Sequence, residues 1–195
     1  MKIEGLKSGF GLIEVLVAIT ISAVAGTLLL KIFVQNQGLY FEQSSKITQG
    51  FSINQAYTQI SESIKIGSSV VSTNLVGSPQ YVTDNDTIVI ELPSIDSSGN
   101  VINQTYDYIV ITREGRDLIF LKKKLFPNPL SQRKSEDKLL ADKVENFTLI
   151  YKDQSGLQVS PTNAQKVYFN LELSEKAGLS NQESSAAGEI NLRNN

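Results

Sequence analysis

The chain has 195 residues, a formal net charge of −2 and a pI near 5.3, and 41% of its residues are hydrophobic. It contains no Cys, which excludes disulfides, thiol nucleophiles and thiolate metal sites. It contains no His either, which excludes Ser-His-Asp catalysis and His-based zinc sites. No Gly-rich phosphate-binding motif is found, so we expect neither enzyme activity nor a cofactor.

Much of the hydrophobic content lies in one block near the N-terminus, residues 10–34. A helix that crosses a bilayer needs about 20 apolar residues, so this block is long enough to span a membrane. Glu14 is the only charged residue between Phe10 and Leu30. A carboxylate at mid-bilayer costs on the order of 2.5 to 3.5 kcal/mol, and a simple anchor has no use for one.

Three interpretations of this segment compete. The first is a signal-anchor helix in which Glu14 is incidental. The second is a cleaved secretory signal, because Ala23-Val24-Ala25 forms an A-x-A site after an apolar stretch. Against it, apolar residues continue beyond that site as far as Val34, and an export signal needs no apolar tail. The third is a signal cut close to the N-terminus, before the apolar block.

The residues around Gly9 favour the third interpretation. A short leader containing Lys2 and Lys7 ends at Gly9, Phe10 follows, and Glu14 stands at the fifth position after it. This pattern closely resembles the class III signal of the type IV pilin-like family. The resemblance implies cleavage between Gly9 and Phe10 by a prepilin peptidase, N-methylation of Phe10, and a subunit assembly contact through Glu14.

The motif also has a physical rationale. Cleavage after Gly9 would expose a cationic α-amine on Phe10, since α-amino groups have a pKa of about 7.7 to 8.0. Glu14 lies one helical turn away on the same face. In a filament, Glu14 of an incoming subunit could reach the amine of its predecessor. Docking would then neutralise a carboxylate that is costly in lipid.

The flanking charges predict the topology. Lys2 and Lys7 precede the span, whereas Lys31 alone lies close behind it, followed by Glu42. The positive-inside rule therefore places the N-terminus in the cytoplasm. We expect a single-pass protein of the inner (cytoplasmic) membrane whose head faces the periplasm or the cell exterior, before it enters a filament.

The first third of the chain predicts one long helix. No proline occurs before Pro79, so a helix can run from Phe10 to about Ile66, with residues 10–34 as its transmembrane half and 35–67 as its amphipathic half. The apolar residues beyond the span recur at helical spacing and predict a single stripe packed on the chain's own sheet. They are Phe33, Tyr40, Ile47, Phe51, Ile53, Tyr57, Ile60 and Ile64.

The remainder predicts an antiparallel β head. Residues 1–9 form the leader, 68–86 a linking loop, and 87–195 the head, with a tight turn over 113–116. Strand-like patterns occur at 87–92, 106–112, 118–122, 147–151, 167–173 and 190–192. The sequence thus predicts an α+β, pilin-like fold: a long N-terminal transmembrane and amphipathic helix packed on an antiparallel sheet.

The head carries a finer resemblance. Residues 94–100, the Tyr-rich strand after them, Arg113-Glu114-Gly115-Arg116, residues 140–147 and residues 190–194 resemble J-type minor pseudopilins of type II secretion and W-type minor pilins. The resemblance implies a subunit of the tip complex that primes filament growth. Its implied partners are the prepilin peptidase, other pilins or pseudopilins through their N-terminal helices, the inner-membrane assembly platform and the lipid bilayer.

Two alternatives stay open at this point. One is a monomeric, membrane-tethered periplasmic or extracellular binding domain. The other is a DNA-uptake (competence) pseudopilin, since the sequence does not say whether type II secretion, a type IV pilus or DNA uptake is served.

Two clusters of polar or charged residues are candidate sites. Asp96, Ser98 and Asn100 offer oxygen ligands at alternate positions and Asp107 follows, which is a calcium-like arrangement. The EF-hand pattern fails because Val101 stands at the glycine position, so we expect a polar turn and no metal.

Lys122-Lys123-Lys124, with Arg133 and Lys134, form the only basic concentration. Side chains on a strand alternate between faces, so these lysines cannot form one patch. They predict a solvated edge strand that resists pairing. With the acidic charge balance, the sequence does not favour nucleic acid as a partner.

Overall fold

The computed structural model describes residues 11–116, 118–177 and 180–193. The described residues divide into two units, one up to Gln43 and the other from Ser44 onward. The elements are α1 (Leu12–Ile66), β1 (Ser69–Val71), β2 (Thr87–Ile95), β3 (Val101–Glu114), β4 (Phe120–Phe126), β5 (Glu136–Ala141), β6 (Val144–Lys152), a 3-10 turn (Pro161–Asn163), β7 (Lys166–Ala177) and β8 (Ser180–Asn191). One long helix followed by antiparallel strands confirms the predicted α+β pilin-like fold.

The helix ends at Ile66, beside the glycine where the sequence predicts its end. The Gly67 N–H donates to the Ile64 carbonyl at 3.1 Å, and the chain then turns into β1. Hydroxyl and amide side chains along the polar side of the helix bond back to its own carbonyls, as Thr58 does to Asn54 and Asn54 to Gly50. These local bonds satisfy polar groups on the exposed side of the helix.

The strands form two antiparallel sheets. The first has the order β1-β2-β3-β4-β5, and the second has the order β6-β7-β8. Every pairing in both sheets is antiparallel. Burial alternates along β6 and most of β7, because one face of this sheet meets the core and the other meets solvent.

The core lies where the inner faces of both sheets meet the second half of α1. Helix residues Ile53, Ala56, Ile60 and Ile64 are buried in a cluster with apolar residues of both sheets. Its fully buried sheet side chains include Ile88, Ile90, Ile111, Leu121, Phe147, Phe169 and Leu171. The predicted packing of the amphipathic helix on the sheet is therefore correct from Ile53 onward.

Several element predictions need correction. The predicted linking loop 68–86 contains β1, and its Val76 and Tyr81 pack on the outer face of the first sheet against Val89, Tyr108 and Val110. Because those strand residues are apolar on the outer face too, the segment has a surface to cover. The head is two sheets where one was expected, and β5 lies in a charged stretch that showed no strand pattern.

The predicted turn 113–116 begins later than expected. Arg113 pairs with Leu121 and Glu114 pairs with Phe120, so β3 continues through both residues. The chain leaves the strand at Gly115, whose φ of +118° suits glycine and few other residues.

Candidate functional site

Glu14 lies in the first turn of α1 and caps the helix. Its carboxylate Oε2 accepts a hydrogen bond of 2.7 Å from the Gly11 N–H, and the Glu14 N–H donates to the Gly11 carbonyl at 3.1 Å. A glutamate at the third helical position that reaches back to the N-cap amide is half of a capping box. The carboxylate also lies at the positive end of the helix dipole. This capping role was not predicted from the sequence.

The predicted cleavage pair, Gly9 and Phe10, lies outside the described residues. Cleavage, methylation and the pairing of Glu14 with the Phe10 amine therefore stay predictions. The structure adds that Glu14 has a local hydrogen-bond partner before any subunit docks, which lowers the cost of placing it in lipid.

The apolar half of α1 is long enough to cross a membrane. Its most apolar 18-residue window has a mean hydropathy of 2.3, and none of that window is buried. Two hydroxyls inside the run bond to the backbone of the helix: Thr20 Oγ1 donates to the Leu16 carbonyl and Thr27 Oγ1 to the Val24 carbonyl, both at 2.8 Å. Such back-bonding removes the need for water at these positions. The segment fits a single-pass membrane anchor.

The amphipathic half of α1 carries two apolar stripes, where one was predicted. Ile47 and Phe51 are 74% and 72% exposed, whereas Ile53 is only 5% exposed. With 3.6 residues per turn, Phe51 and Ile53 point about 200° apart, so they occupy opposite faces. Treating both sets as one stripe was wrong: only the set that begins at Ile53 packs on the sheets.

Two aromatic residues of the first unit are exposed as well. Tyr40 and Phe41 are largely accessible to solvent and touch each other edge to face, with ring centroids 6.1 Å apart. Large apolar side chains in such numbers, beyond those of the span itself, are typical of a surface that another molecule covers.

The calcium candidates do not converge on one site. Asp96 accepts hydrogen bonds from the backbone N–H groups of Ser98 and Asn100, at 2.8 and 2.9 Å, which closes a polar turn. Led by the bond from Asn100, they outweigh the effect of burial and hold the pKa of Asp96 below its ordinary value. Asp107 serves a different network. The described residues contain no group of three or more acidic ligands placed to hold a metal ion.

Asp107 is a buried carboxylate at the centre of a structural network. It accepts from Ser94 Oγ at 2.7 Å, Ser131 Oγ at 2.8 Å and Arg133 Nη1 at 2.6 Å, and from the Asn128 N–H at 2.8 Å. Burial alone would raise the pKa of Asp107, but these four bonds outweigh it and hold the pKa below its ordinary value. The network ties the segment between β4 and β5 to the first sheet.

The three lysines lie on an internal strand, so the predicted edge strand is wrong. β4 is hydrogen-bonded to β3 on one side and to β5 on the other. Lys124 contacts Glu114 at 2.5 Å, and Lys123 contacts Glu136 at 3.3 Å. Acidic residues of the flanking strands, which sequence spacing could not identify, thus neutralise the lysines.

A second network was also missed. Lys124 Nζ donates to Tyr81 Oη at 2.6 Å, and Tyr81 Oη donates to Glu114 at 2.8 Å. Burial raises the pKa of Glu114, but the bonds from Lys124 and Tyr81 outweigh that effect and the pKa lies below its ordinary value. The network fixes the 72–86 segment on the outer face of the sheet.

Comparison with known proteins bears on the N-terminal segment. A family model described as the prokaryotic N-terminal methylation motif matches residues 6–30. The matched range contains the predicted cut site at Gly9 and Phe10 together with Glu14. No curated protein was found to match the chain.

Proposed function

We propose that this chain, which the N-terminal motif identifies as a type IV pilin-like precursor, is a minor pilin or pseudopilin with a structural, non-catalytic role. It is cut between Gly9 and Phe10, methylated on Phe10, and assembled through its N-terminal helix. It belongs to the tip complex that primes growth of a type II secretion pseudopilus or a type IV pilus. The resemblance of the head to J-type and W-type subunits supports this assignment.

The observation that carries the proposal is the second apolar stripe on α1. Ile47 and Phe51 belong to the part of the helix that packs on the head, yet they point away from the core that buries Ile53. A monomeric tethered domain has no reason to keep such residues exposed to water. A subunit whose helix is surrounded by other helices in a filament buries them on assembly.

The proposed topology places the N-terminus in the cytoplasm and the head outside. Lys2 and Lys7 before the apolar run support this orientation. The membrane-embedded peptidase then meets the leader from the cytoplasmic side, and the mature subunit enters the assembly platform already oriented.

The test is the mature N-terminus, read by mass spectrometry on protein purified from membranes of cells with a prepilin peptidase. We expect the mature chain to begin at an N-methylated Phe10, and we expect Gly9→Ala to block processing. A mature chain that begins at Gly26 would support a secretory signal. Retention of Met1 in a functional protein would support a tethered monomer.

A further inference from the structure

β8 forms an open edge of the head. It is the outermost strand of the second sheet and pairs only with β7. The 12-residue strand keeps one register along its whole length, from Ala177 opposite Ser180 to Lys166 opposite Asn191. An edge that is long and regular is a ready template for another strand.

The backbone groups that face outward can be assigned from one hydrogen bond. The Leu192 N–H donates to the Gln165 carbonyl at 3.0 Å, which marks the neighbouring Lys166–Asn191 pair as non-hydrogen-bonded. Alternation along the strand then turns the N–H and C=O of every second residue away from β7. In the described part of the chain, these backbone groups have no hydrogen-bond partner: Asn181, Glu183, Ser185, Ala187, Glu189 and Asn191.

The other outer strands are protected. β1 has only three residues, and β5 carries Glu136, Asp137 and Lys138. β6 is tied to the segments that precede β4 and β2, by bonds from the Val144 N–H to the Ile119 carbonyl and from the Leu149 N–H to the Asn85 carbonyl. β8 is long, contains no Lys, no Pro and no shift in register, and its two charged residues, Glu183 and Glu189, are both acidic.

The solvent face beside this edge is acidic at one end. Glu172 of β7 lies opposite Ser185, and Glu183 of β8 lies opposite Ser174, so the two carboxylates share the solvent face with Glu145 of β6. At the other end the charge is balanced, since Lys152 contacts Glu189 at 2.6 Å. Lys176 lies diagonal to Glu183 on the same face and makes no ion pair in the described residues.

From these features we infer that β8 receives an extended segment of another protein as an added antiparallel strand, and that the segment carries Lys or Arg residues facing Glu172 and Glu183. Backbone bonds to the open edge supply the affinity and the acidic face supplies the selectivity. A second copy of β8 is a poorer occupant, because it would add glutamates to an acidic face. The inference does not depend on filament assembly.

The experiment uses the full chain in detergent micelles and a fluorescent peptide of about ten residues in which threonine and lysine alternate, the length that one added strand requires. The control peptide alternates threonine with glutamate. We expect saturable binding of the lysine peptide by fluorescence anisotropy, about tenfold tighter than that of the glutamate peptide. We also expect slower amide exchange at Ser185 and Ala187, which attraction between charges alone would not produce.

Two variants make the test specific. Ala187→Pro removes one outward N–H without touching the pairing with β7, and it should weaken peptide binding by about tenfold. Its matched control, Ala187→Thr, keeps the N–H and should bind normally, and far-ultraviolet circular dichroism checks that both variants fold. Glu183→Lys should erase the preference for the lysine peptide.

Three outcomes would overturn the inference. One is equal binding by Ala187→Pro and Ala187→Thr. Another is equal affinity for the two peptides. The third is self-association through β8 with no peptide binding, which would assign the edge to a second copy of the chain.

Discussion

Phe51 and Ile53 are two positions apart on α1, yet Phe51 is 72% exposed and Ile53 is 5% exposed. The helix turns about 200° between them, so one points into the core between the two sheets and the other points away from it. The two residues thus separate the folding role of the helix from the assembly role that we propose for it.

Substitutions at this pair should have opposite consequences. Ile53→Ala leaves a cavity in the core and should lower the free energy of unfolding by about 2 to 4 kcal/mol. Phe51→Ala removes a side chain that has no role in the core and should change it by less than about 0.5 kcal/mol. Urea unfolding of the full chain in detergent, followed by tyrosine fluorescence, measures both values.

The same two substitutions should affect filament incorporation in the opposite way to stability. Phe51→Ala should reduce the amount of the subunit that co-purifies with sheared filaments although its head is stable, whereas Ile53→Ala should reduce it only as far as the folded population falls. Normal incorporation of Phe51→Ala would contradict an assembly role for this face.

Gly77 and Gly99 offer a matched test of the 72–86 segment. Both have positive φ, +91° and +82°, but a Cβ on Gly77 would lie 2.3 Å from Phe126 Cδ1, whereas a Cβ on Gly99 would meet nothing within 4 Å. Gly99→Ala should therefore lower the free energy of unfolding only by the cost of placing a Cβ at positive φ, about 1 to 2 kcal/mol. Gly77→Ala should lower the free energy of unfolding further, because it also pushes the 72–86 segment away from Phe126. Equal losses would mean that this contact adds no stability.

The long helix and the central strands were predictable because their signals are local. An uninterrupted run of helix-compatible residues extends to Gly67, and strands such as β7 alternate apolar and polar residues around Val167, Phe169 and Leu171. Each pattern repeats with the period of its own element, so no knowledge of distant contacts is needed.

The remaining features depend on contacts that the sequence does not display. β5 is a strand because its backbone completes the ladder beside β4, although Glu136, Asp137 and Lys138 suggest a loop. Asp107 looked like a candidate metal ligand until Arg133, 26 residues later, proved to be its ionic partner. Glu14 was recognised by its motif, yet its bond to Gly11 depends on where the helix begins.

The Asp107 network should make the head sensitive to acid. Because the folded-state pKa of Asp107 is lowered, its contribution to stability is present above the unfolded pKa of about 3.9 and is lost as the pH falls through the lower folded value. The free energy of unfolding should therefore decline below about pH 4. Asp107→Asn should lower it by about 2 to 4 kcal/mol at neutral pH and should weaken this acid dependence.

The control for that series is Asp142→Asn, which changes an exposed carboxylate outside the network. It should leave both the neutral-pH stability and the acid dependence close to those of the wild type. If Asp107→Asn behaved like this control, the network would have no stabilising role.

Glu14 can be tested for two roles that its position combines. Glu14→Gln keeps an oxygen that accepts the Gly11 N–H, since glutamine also suits the third position of a capping box, but it removes the charge. Glu14→Val removes both. If the carboxylate pairs with the α-amine of Phe10 in a neighbouring subunit, both variants should insert in the membrane and both should fail to enter filaments. Membrane fractionation and filament shearing measure the two steps. Normal incorporation of Glu14→Gln with failure of Glu14→Val would instead assign Glu14 to helix capping, because only the hydrogen bond would then matter.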